Sequence, residues 1–490
     1  MMKNLIFSVI HKGLKSNSFI FSSSSFISKI FSIFLIPLYT RNLDIASYGL
    51  FDLILIVLTF LNIIFSLEIS QAMSRYIPVM KGERARTILI SSGLSVILLL
   101  CMILLILMIS AAVILRTFIT NELSASITLI FSYELMPYIS IYFILNIIHI
   151  YLKNNLRWLL MARQFFIQVV IYSILSISLT YYWLVINNIG LKGVYIAQIC
   201  ASLTTILYNV KVQFKYVTVS ISKRYIQLLL GFSVPLIFSS LSIVIATFMD
   251  RIYITSKLGL DQLAVYSLAN RLATIPGFII FGLVSSYLPR IYKNSFDQKI
   301  ELIFEELFVY ILSVAFFISL LLTFFHSDIV LMLSNENYLD AGKVGVILSI
   351  SVIFANSIIL FPGLFIEKKT SFFAKINLIL IGCNFILNWI AVEFFNSIMA
   401  VSFATLISQI LYFVVNMKTS QRYYNRSFRS FKSYWLQLSL LILILILSNS
   451  LNDIAQLSLI YKILLVFVFS IVFINSMRPK LAKIKNRMDQ

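Results

Sequence analysis

The chain is poor in charge and poorer still in negative charge: 12% of its 490 residues are charged, with 19 Asp and Glu against 39 Lys and Arg. A soluble domain carries about 25% charged residues, so an aqueous globular fold is excluded. Cysteine is scarce too. Cys101, Cys200 and Cys383 stand alone in apolar runs, with no CxxC pair, metal-ligand spacing or disulfide framework. His11, His149 and His326 are equally scattered. No G-x-x-x-x-G-K-[ST] loop occurs, and Gly342-Lys343 is followed by Val344, so nucleotide hydrolysis has no seat here. No metal site and no cofactor are expected, and the energy for any work must come from a gradient or a concentration difference. The N-terminus lacks the short apolar core and small-residue cleavage site of a removable signal peptide. No gap between apolar segments exceeds about 20 residues, which leaves no room for a soluble domain.

Apolar residues fill the chain instead, at 60% of the total with a mean hydropathy of +0.96. A bilayer core about 30 Å thick takes roughly 20 helical residues to cross, and about fourteen segments of that kind recur. They include span one at Phe19–Tyr39, two at Tyr48–Leu67, four at Ile127–Ile150, seven at Ile226–Met249, eight at Leu263–Leu288, eleven at Ile376–Phe395, thirteen at Trp435–Leu451 and fourteen at Leu459–Ser476. The expected fold class is an all-α polytopic membrane protein.

Basic residues collect in every second gap. The N-terminus, the even-numbered gaps and the C-terminal tail hold 30 of the 39 Lys and Arg. By the positive-inside rule both termini are cytoplasmic. The net charge of +20 is therefore a topology signal and not a mark of nucleic-acid binding.

Two halves are discernible. Leu43-Asp44 and Tyr48-Gly49 lie in the outer turn after span one; Leu260-Asp261 and Tyr266 lie in the outer turn after span seven. Each following span ends with proline near a basic residue, at Arg75 and Pro78 and at Pro289-Arg290. A duplicated six-helix unit in parallel orientation fits this spacing. The expected division is an N-lobe at residues 1–218, a C-lobe at 219–417, and spans thirteen and fourteen with a basic tail at 418–490, as an appendage.

Polar groups inside the spans carry what chemistry there is. Ser22, Ser25, Lys29 and Ser32 form one stripe of span one, with Lys29 near its middle. A lysine at that depth costs roughly 2.5–3.5 kcal/mol by insertion scales, so it should face water or a partner. Asp52, Thr59, Asn62 and Ser66 repeat the pattern in span two, Ser233, Ser240, Thr247 and Asp250 in span seven, and Ser267, Asn270, Arg271 and Thr274 in span eight. The Ser and Thr members are expected to bond between helices, leaving Lys29 and Arg271 as the pair that separates from that background. Arg41, Arg251 and Arg290 are further candidates, although snorkelling at span ends explains them too. Glu134 stands one turn before Pro137, which should kink span four; it is a candidate ion-pair partner of Lys29 or Arg271 or a cation-coupling group, as are Asp52 and Asp250. Asn377, Asn384 and Asn388 form a stripe in span eleven, read as packing glue, and Pro235, Pro276 and Pro362-Gly363 are expected to break three further spans. A cationic cavity implies an anionic ligand, with Arg offering a fork to phosphate oxygens and Lys a point charge.

The stretch Ile36-Pro37-Leu38-Tyr39-Thr40-Arg41-Asn42-Leu43, with Tyr48-Gly49-Leu50-Phe51 and Arg75-Tyr76-Ile77-Pro78, resembles the N-terminal signature of the Wzx-type polysaccharide-repeat flippases. These belong to the multidrug/oligosaccharidyl-lipid/polysaccharide exporter superfamily. Phe232-Ser233-Val234-Pro235-Leu236, Asp250-Arg251-Ile252-Tyr253-Ile254, Leu258-Gly259, Ala264-Val265-Tyr266 and Leu288-Pro289 are similar to the second-lobe pattern. The resemblance covers roughly residues 20–80 and 225–295.

What it implies is an inner-membrane transporter with two six-helix lobes that alternates between inward- and outward-open states. Its substrate would be an oligosaccharide on undecaprenyl diphosphate, moved to the outer leaflet for O-antigen, capsule or other lipopolysaccharide-type glycan assembly, with the lipid tail kept in hydrocarbon through a lateral opening between spans one and eight. The implied partners are membrane lipid and a glycan polymerase or chain-length regulator; the implied diphosphate and sugar ligands are Lys29 and Arg271, then Arg41, Arg251, Arg290 and Asn270. Fourteen spans also occur in lipid II flippases such as MurJ, which keeps that reading open. A multidrug exporter would place acids in its cavity, whereas the deep charges here are basic. An integral-membrane glycosyltransferase or polymerase would need a larger outer loop than His326–Lys343, whose acids are Asp328, Glu336 and Asp340.

Overall fold

The computed structural model describes residues 17–118, 134–216, 221–293, 300–361, 370–423 and 458–489. Among them the regular structure is helical throughout, which follows from a chain that must satisfy its backbone hydrogen bonds without water. Eleven of these helices are long and apolar enough to cross a membrane, and the protein is an all-α polytopic membrane protein. Span thirteen and Pro362-Gly363 lie outside the described residues. The chain forms two compact units, residues 1–248 and 249–490.

The first unit opens with α1 (Asn17–Asn42) and α2 (Ile45–Ser66). The tight turn between them is set by Asp44, whose carboxylate accepts from the backbone N–H of Ser47 at 3.0 Å, a cap worth about 1 kcal/mol. Helix α2 ends on two successive left-handed residues, Leu67 at φ 47° and Glu68 at φ 51°, and turns into the short amphipathic α3 (Ile69–Tyr76). Pro78 then sits in a 3-10 turn ahead of α4 (Glu83–Phe118).

Helix α5 (Met136–Trp158) starts two residues after Glu134, so Pro137 falls in its first turn. There the missing N–H costs nothing, and the kink expected of a mid-span proline does not arise. Helix α6 (Ala162–Thr180) continues into a wider π segment, Tyr181–Ile186, and α7 (Leu191–Gln213) follows. Gly193 lets α7 approach that segment closely: a Cβ there would stand 3.0 Å from Trp183 Cβ.

Helices α5, α6 and α7 share a polar seam. Gln198, Ser202, Thr205, Asn209 and Gln213 fall on one face of α7 and are all buried. His149 Nδ1 lies 2.8 Å from Thr205 Oγ1, the Tyr172 hydroxyl donates to Gln198 Oε1 at 2.8 Å, Gln198 Nε2 donates to Ser176 Oγ at 2.7 Å, and Gln213 Nε2 donates to the Leu152 carbonyl at 2.8 Å. These bonds pin the three helices in register, because a shift of one turn would break all of them.

Spans seven and eight are two helices, labelled together as α8 (Lys223–Lys293), that meet at a kink at Gly259 with φ 88° and ψ 175°. Glycine adopts that conformation without the Cβ penalty of other residues. Pro235 and Pro276 lie inside the helical stretches on either side, so the breaks expected at these two residues do not arise, and the kink at Gly259 is the turn between the two spans. The second unit adds α9 (Ile300–Leu333), α10 (Asp340–Asn356), α11 (Thr370–Phe395), α12 (Ile398–Tyr423) and α13 (Leu459–Asp489). Span fourteen, expected as an appendage, is α13, and it is knitted into this core: the rings of Phe316 and Phe473 stack at 4.0 Å, and Lys462 Nζ reaches Asp328 Oδ2 at 2.6 Å. The two outer turns that the sequence pairs share one device, since Tyr48 at 0% and Tyr266 at 2% exposure are each buried just beyond the turn.

Candidate functional site

In the first unit Lys29 stands on an exposed face of α1. The serine stripe beneath it does not reach another helix where its side chains are described: Ser32 Oγ donates back to the Lys29 carbonyl at 2.7 Å. Thr59 and Thr274 do the same, to Leu55 and Arg271 at 2.7 Å each, so these hydroxyls satisfy themselves locally instead of bonding between helices as expected.

Lys153, on α5, lies within electrostatic reach of both Lys29 and Arg157. The Arg157 guanidinium carbon sits 4.9 Å above the Phe165 ring, and Phe21 of α1 meets the same ring edge-on at 5.3 Å. Among the described residues no ion pair involves Lys153 or Arg157. Three cations thus gather in one unit without a carboxylate bonded to two of them. Sequence reasoning missed Lys153 and Arg157 because it ended span four at Ile150 and assigned both to a basic gap. The signal was there: Tyr151, Leu152, Asn155, Leu156 and Leu159 continue the helical spacing past that point.

Arg41, exposed at the end of α1, lines an open groove of about 550 Å³ with Phe34, Pro37, Leu38 and Tyr181. Asp52 is half-buried in α2. Glu134 lies in a turn outside the membrane-spanning helix, and its partner is neither Lys29 nor Arg271 but Lys192, whose Nζ donates to Oε2 at 2.5 Å. That bond, with the ammonium charge behind it, holds the Glu134 carboxyl below the usual carboxylate range.

In the second unit Asp250 is buried at the junction of three helical stretches. Asn388 of α11 donates its amide to Oδ1, and the Tyr266 hydroxyl donates to Oδ2 at 3.3 Å. The bond to Asp250 makes Asn388 a link between helices, as expected of the asparagine stripe of span eleven, whereas its second bond, to Asn384 Oδ1 at 3.1 Å, stays within α11. Arg251, only 5% exposed, places its guanidinium carbon 5.5 Å over the Tyr266 ring. Arg271 and Asn270 are half-buried on the following stretch of α8. Arg290 belongs to that helix, and its side chain lies outside the described residues. At one end of the unit a cavity of about 510 Å³ is lined by Lys257, Gln262, Asp340 and Lys343, where Lys257 pairs with Glu393 at 2.9 Å and Lys343 with Asp340 at 3.4 Å. The bases there have acidic partners, whereas Lys153 and Arg157 have none among the described residues. Lys29 and Arg271 belong to different units.

Among solved structures, the lipid II flippase MurJ in an inward closed conformation superposes with a TM-score of 0.70 at 16% identity, covering 94% of this chain and 99% of that one. An inward-facing multidrug resistance MATE transporter of the MOP superfamily gives 0.62 at 18% identity, covering 81% and 94%. A MOP superfamily transporter from Pyrococcus furiosus, described as having a binding pocket of reverse polarity, gives 0.54 at 17%, covering 82% and 92%. At these identities the likeness concerns the fold. No curated protein matches the sequence. The profile of the polysaccharide biosynthesis protein family matches residues 14–295, more than half of the sequence and the whole of both resembling stretches, and the chain belongs to that family.

Proposed function

We propose that the protein is a flippase that carries an undecaprenyl-diphosphate-linked oligosaccharide repeat unit across the cytoplasmic membrane by alternating access, for O-antigen or capsular polysaccharide assembly. The observation that carries this reading is the group of Lys29, Lys153 and Arg157, gathered in one unit with no carboxylate among the described residues paired to the last two. Cations held at membrane depth are costly and favour a phosphate-bearing ligand. Arg271 is the proposed contributor from the second unit, joined by Asn270, with Arg41, Arg251 and Arg290 at the span ends. Asp250, bonded by Asn388 and Tyr266, is the proposed group for coupling to a cation or proton. Both termini are placed on the cytoplasmic side, and the lobes are placed at residues 1–218 and 219–417, followed by 418–490.

A second reading, transport of lipid II, is favoured by the 94% and 99% coverage against MurJ. It shares the diphosphate and differs in the sugars. The test is complementation: cells deleted for the gene accumulate lipid-linked repeat units on the cytoplasmic face, and the wild-type chain restores surface glycan while Lys29→Glu with Arg271→Glu does not. Rescue of a lipid II transport defect in place of glycan export selects the second reading. Full export by the doubly reversed variant overturns both.

A further inference from the structure

The helix directions in the first unit give its cations an order. Phe21 and Phe165 touch near the starts of α1 and α6, and residues 34–42 line one groove with residues 177–185 near their ends, so these two helices run parallel. Helix α5 ends at Trp158, three residues before α6 begins, and its His149 faces Gln168 at 3.4 Å; it runs the opposite way. Arg157 is level with the Phe21–Phe165 contact because it rests on the Phe165 ring. At 1.5 Å per residue, the Lys153 backbone lies about 6 Å further along α5 than that of Arg157, and Lys29 lies about 12 Å along α1 from Phe21. The three cations form a staircase that begins at the α1 N-terminus and stops near the middle of the span.

The lowest step is built to receive an acceptor. Arg157 sits over the aromatic ring of Phe165, its Nε is buried with no hydrogen-bond partner among the described residues, and the adjacent Trp158 Nε1 is in the same condition. A guanidinium fixed by stacking loses little rotamer freedom on binding, and its planar fork suits a phosphate. Lys153 adds a mobile point charge one turn further in. Mutual repulsion among three such groups falls when an anion joins them, and it falls most for a ligand of more than one negative charge.

We infer that Lys153 and Arg157 form a capture station for a diphosphate, from which the head group is handed on to Lys29. The inference rests on the flippase reading for the ligand's biological source but not for its chemistry. It makes Lys153 and Arg157 substrate-binding residues, and it makes Phe165 a positioning residue that holds the guanidinium in place.

The test uses the full-length chain in phosphatidylcholine nanodiscs. Two probes are titrated separately, inorganic pyrophosphate and a short-chain polyprenyl diphosphate, with tryptophan fluorescence as the readout and Trp158→Phe to identify the reporting ring. Lys153→Gln combined with Arg157→Gln should weaken both probes by about tenfold or more, the scale of losing one or two charge-assisted hydrogen bonds. The conservative change Lys153→Arg, which leaves the stacked Arg157 in place, should stay close to wild type and serves as the folding control. Tighter binding of the polyprenyl form assigns the station to a lipid head group, and equal binding assigns it to a free phosphate. Unchanged affinity in the Gln pair, or no binding of either probe by the wild type, overturns the station. Glycan export in deleted cells is scored separately: export without pyrophosphate binding removes the station alone, whereas binding without export removes the flippase reading and leaves the station.

Discussion

Asn388 donates its side-chain amide to the carboxylate of Asp250 across 138 residues of sequence, and so ties α11 to the first stretch of α8. The Tyr266 hydroxyl supplies a second donor from the other side of the Gly259 break. Asp250 is therefore the point at which three helical segments meet. Asn388→Leu removes one donor from a buried carboxylate and should destabilise the protein by about 1–3 kcal/mol, read as a lower thermal midpoint in detergent. Asp250→Asn keeps the shape and one accepting oxygen while removing charge, with the Tyr266 hydroxyl turning to accept from the new amide, so it should cost less stability than losing the side chain yet lose export if Asp250 couples transport to a cation. Full export by Asp250→Asn sinks the coupling role.

Gly93 faces Tyr151. A Cβ at residue 93 would stand 2.7 Å from the Tyr151 hydroxyl oxygen, which donates to the Ile90 carbonyl at 2.7 Å. Gly93→Ala should therefore cost about 1–3 kcal/mol through overpacking and a displaced hydrogen bond. Tyr151→Phe in the same chain removes the obstructing oxygen, and the two changes together should cost less than their sum. A strictly additive double-mutant cycle would show that the two sites do not meet.

The Glu134–Lys192 pair carries a pH signature. Because the carboxyl is held below its ordinary value, the contribution of the pair is fully present above that value and disappears as pH falls through the lowered one. At neutral pH, Lys192→Gln should produce a small loss that salt reduces, since both side chains meet solvent. In acid the variant and the parent should melt together. A difference that persists at low pH would mean that Lys192 contributes by packing and not by charge.

Leu67 and Glu68 hold consecutive left-handed conformations without a glycine. Each costs roughly 1–2 kcal/mol relative to the right-handed region, and Glu68 gains no capping bond from its side chain in return. Glu68→Gly should raise the thermal midpoint by an amount equivalent to about 1 kcal/mol. A lower midpoint would show that the Glu68 side chain has a contact worth more than the backbone relief.

Much of the architecture was legible because the bilayer imposes a single length and a single solvent on every crossing. The candidate site was legible only in part. Lys29 announced itself by depth, a property that one helix carries alone. Lys153 and Arg157 did not, because their significance depends on where α5 ends and on the ring of Phe165, which belongs to the next helix. Pro137, Pro235 and Pro276 misled for a related reason: proline's effect depends on whether it begins a helix or sits where the surrounding span tolerates it, while the break at residue 259 needed only a glycine. Hydroxyl groups also misled, since a serine or threonine in a helix can satisfy itself on its own backbone, as Ser32 does.

The polar seam of α5, α6 and α7 has a consequence for how the chain enters the membrane. Met136–Trp158 and Leu191–Tyr216 are the two least apolar of the eleven candidate spans, and their polar faces are the ones turned toward each other. Released singly into lipid, α5 would expose an imidazole and α7 a row of amides and hydroxyls to hydrocarbon. The three helices therefore satisfy these groups on one another, and α5 should settle in the bilayer more firmly once α7 is there to cover its polar face.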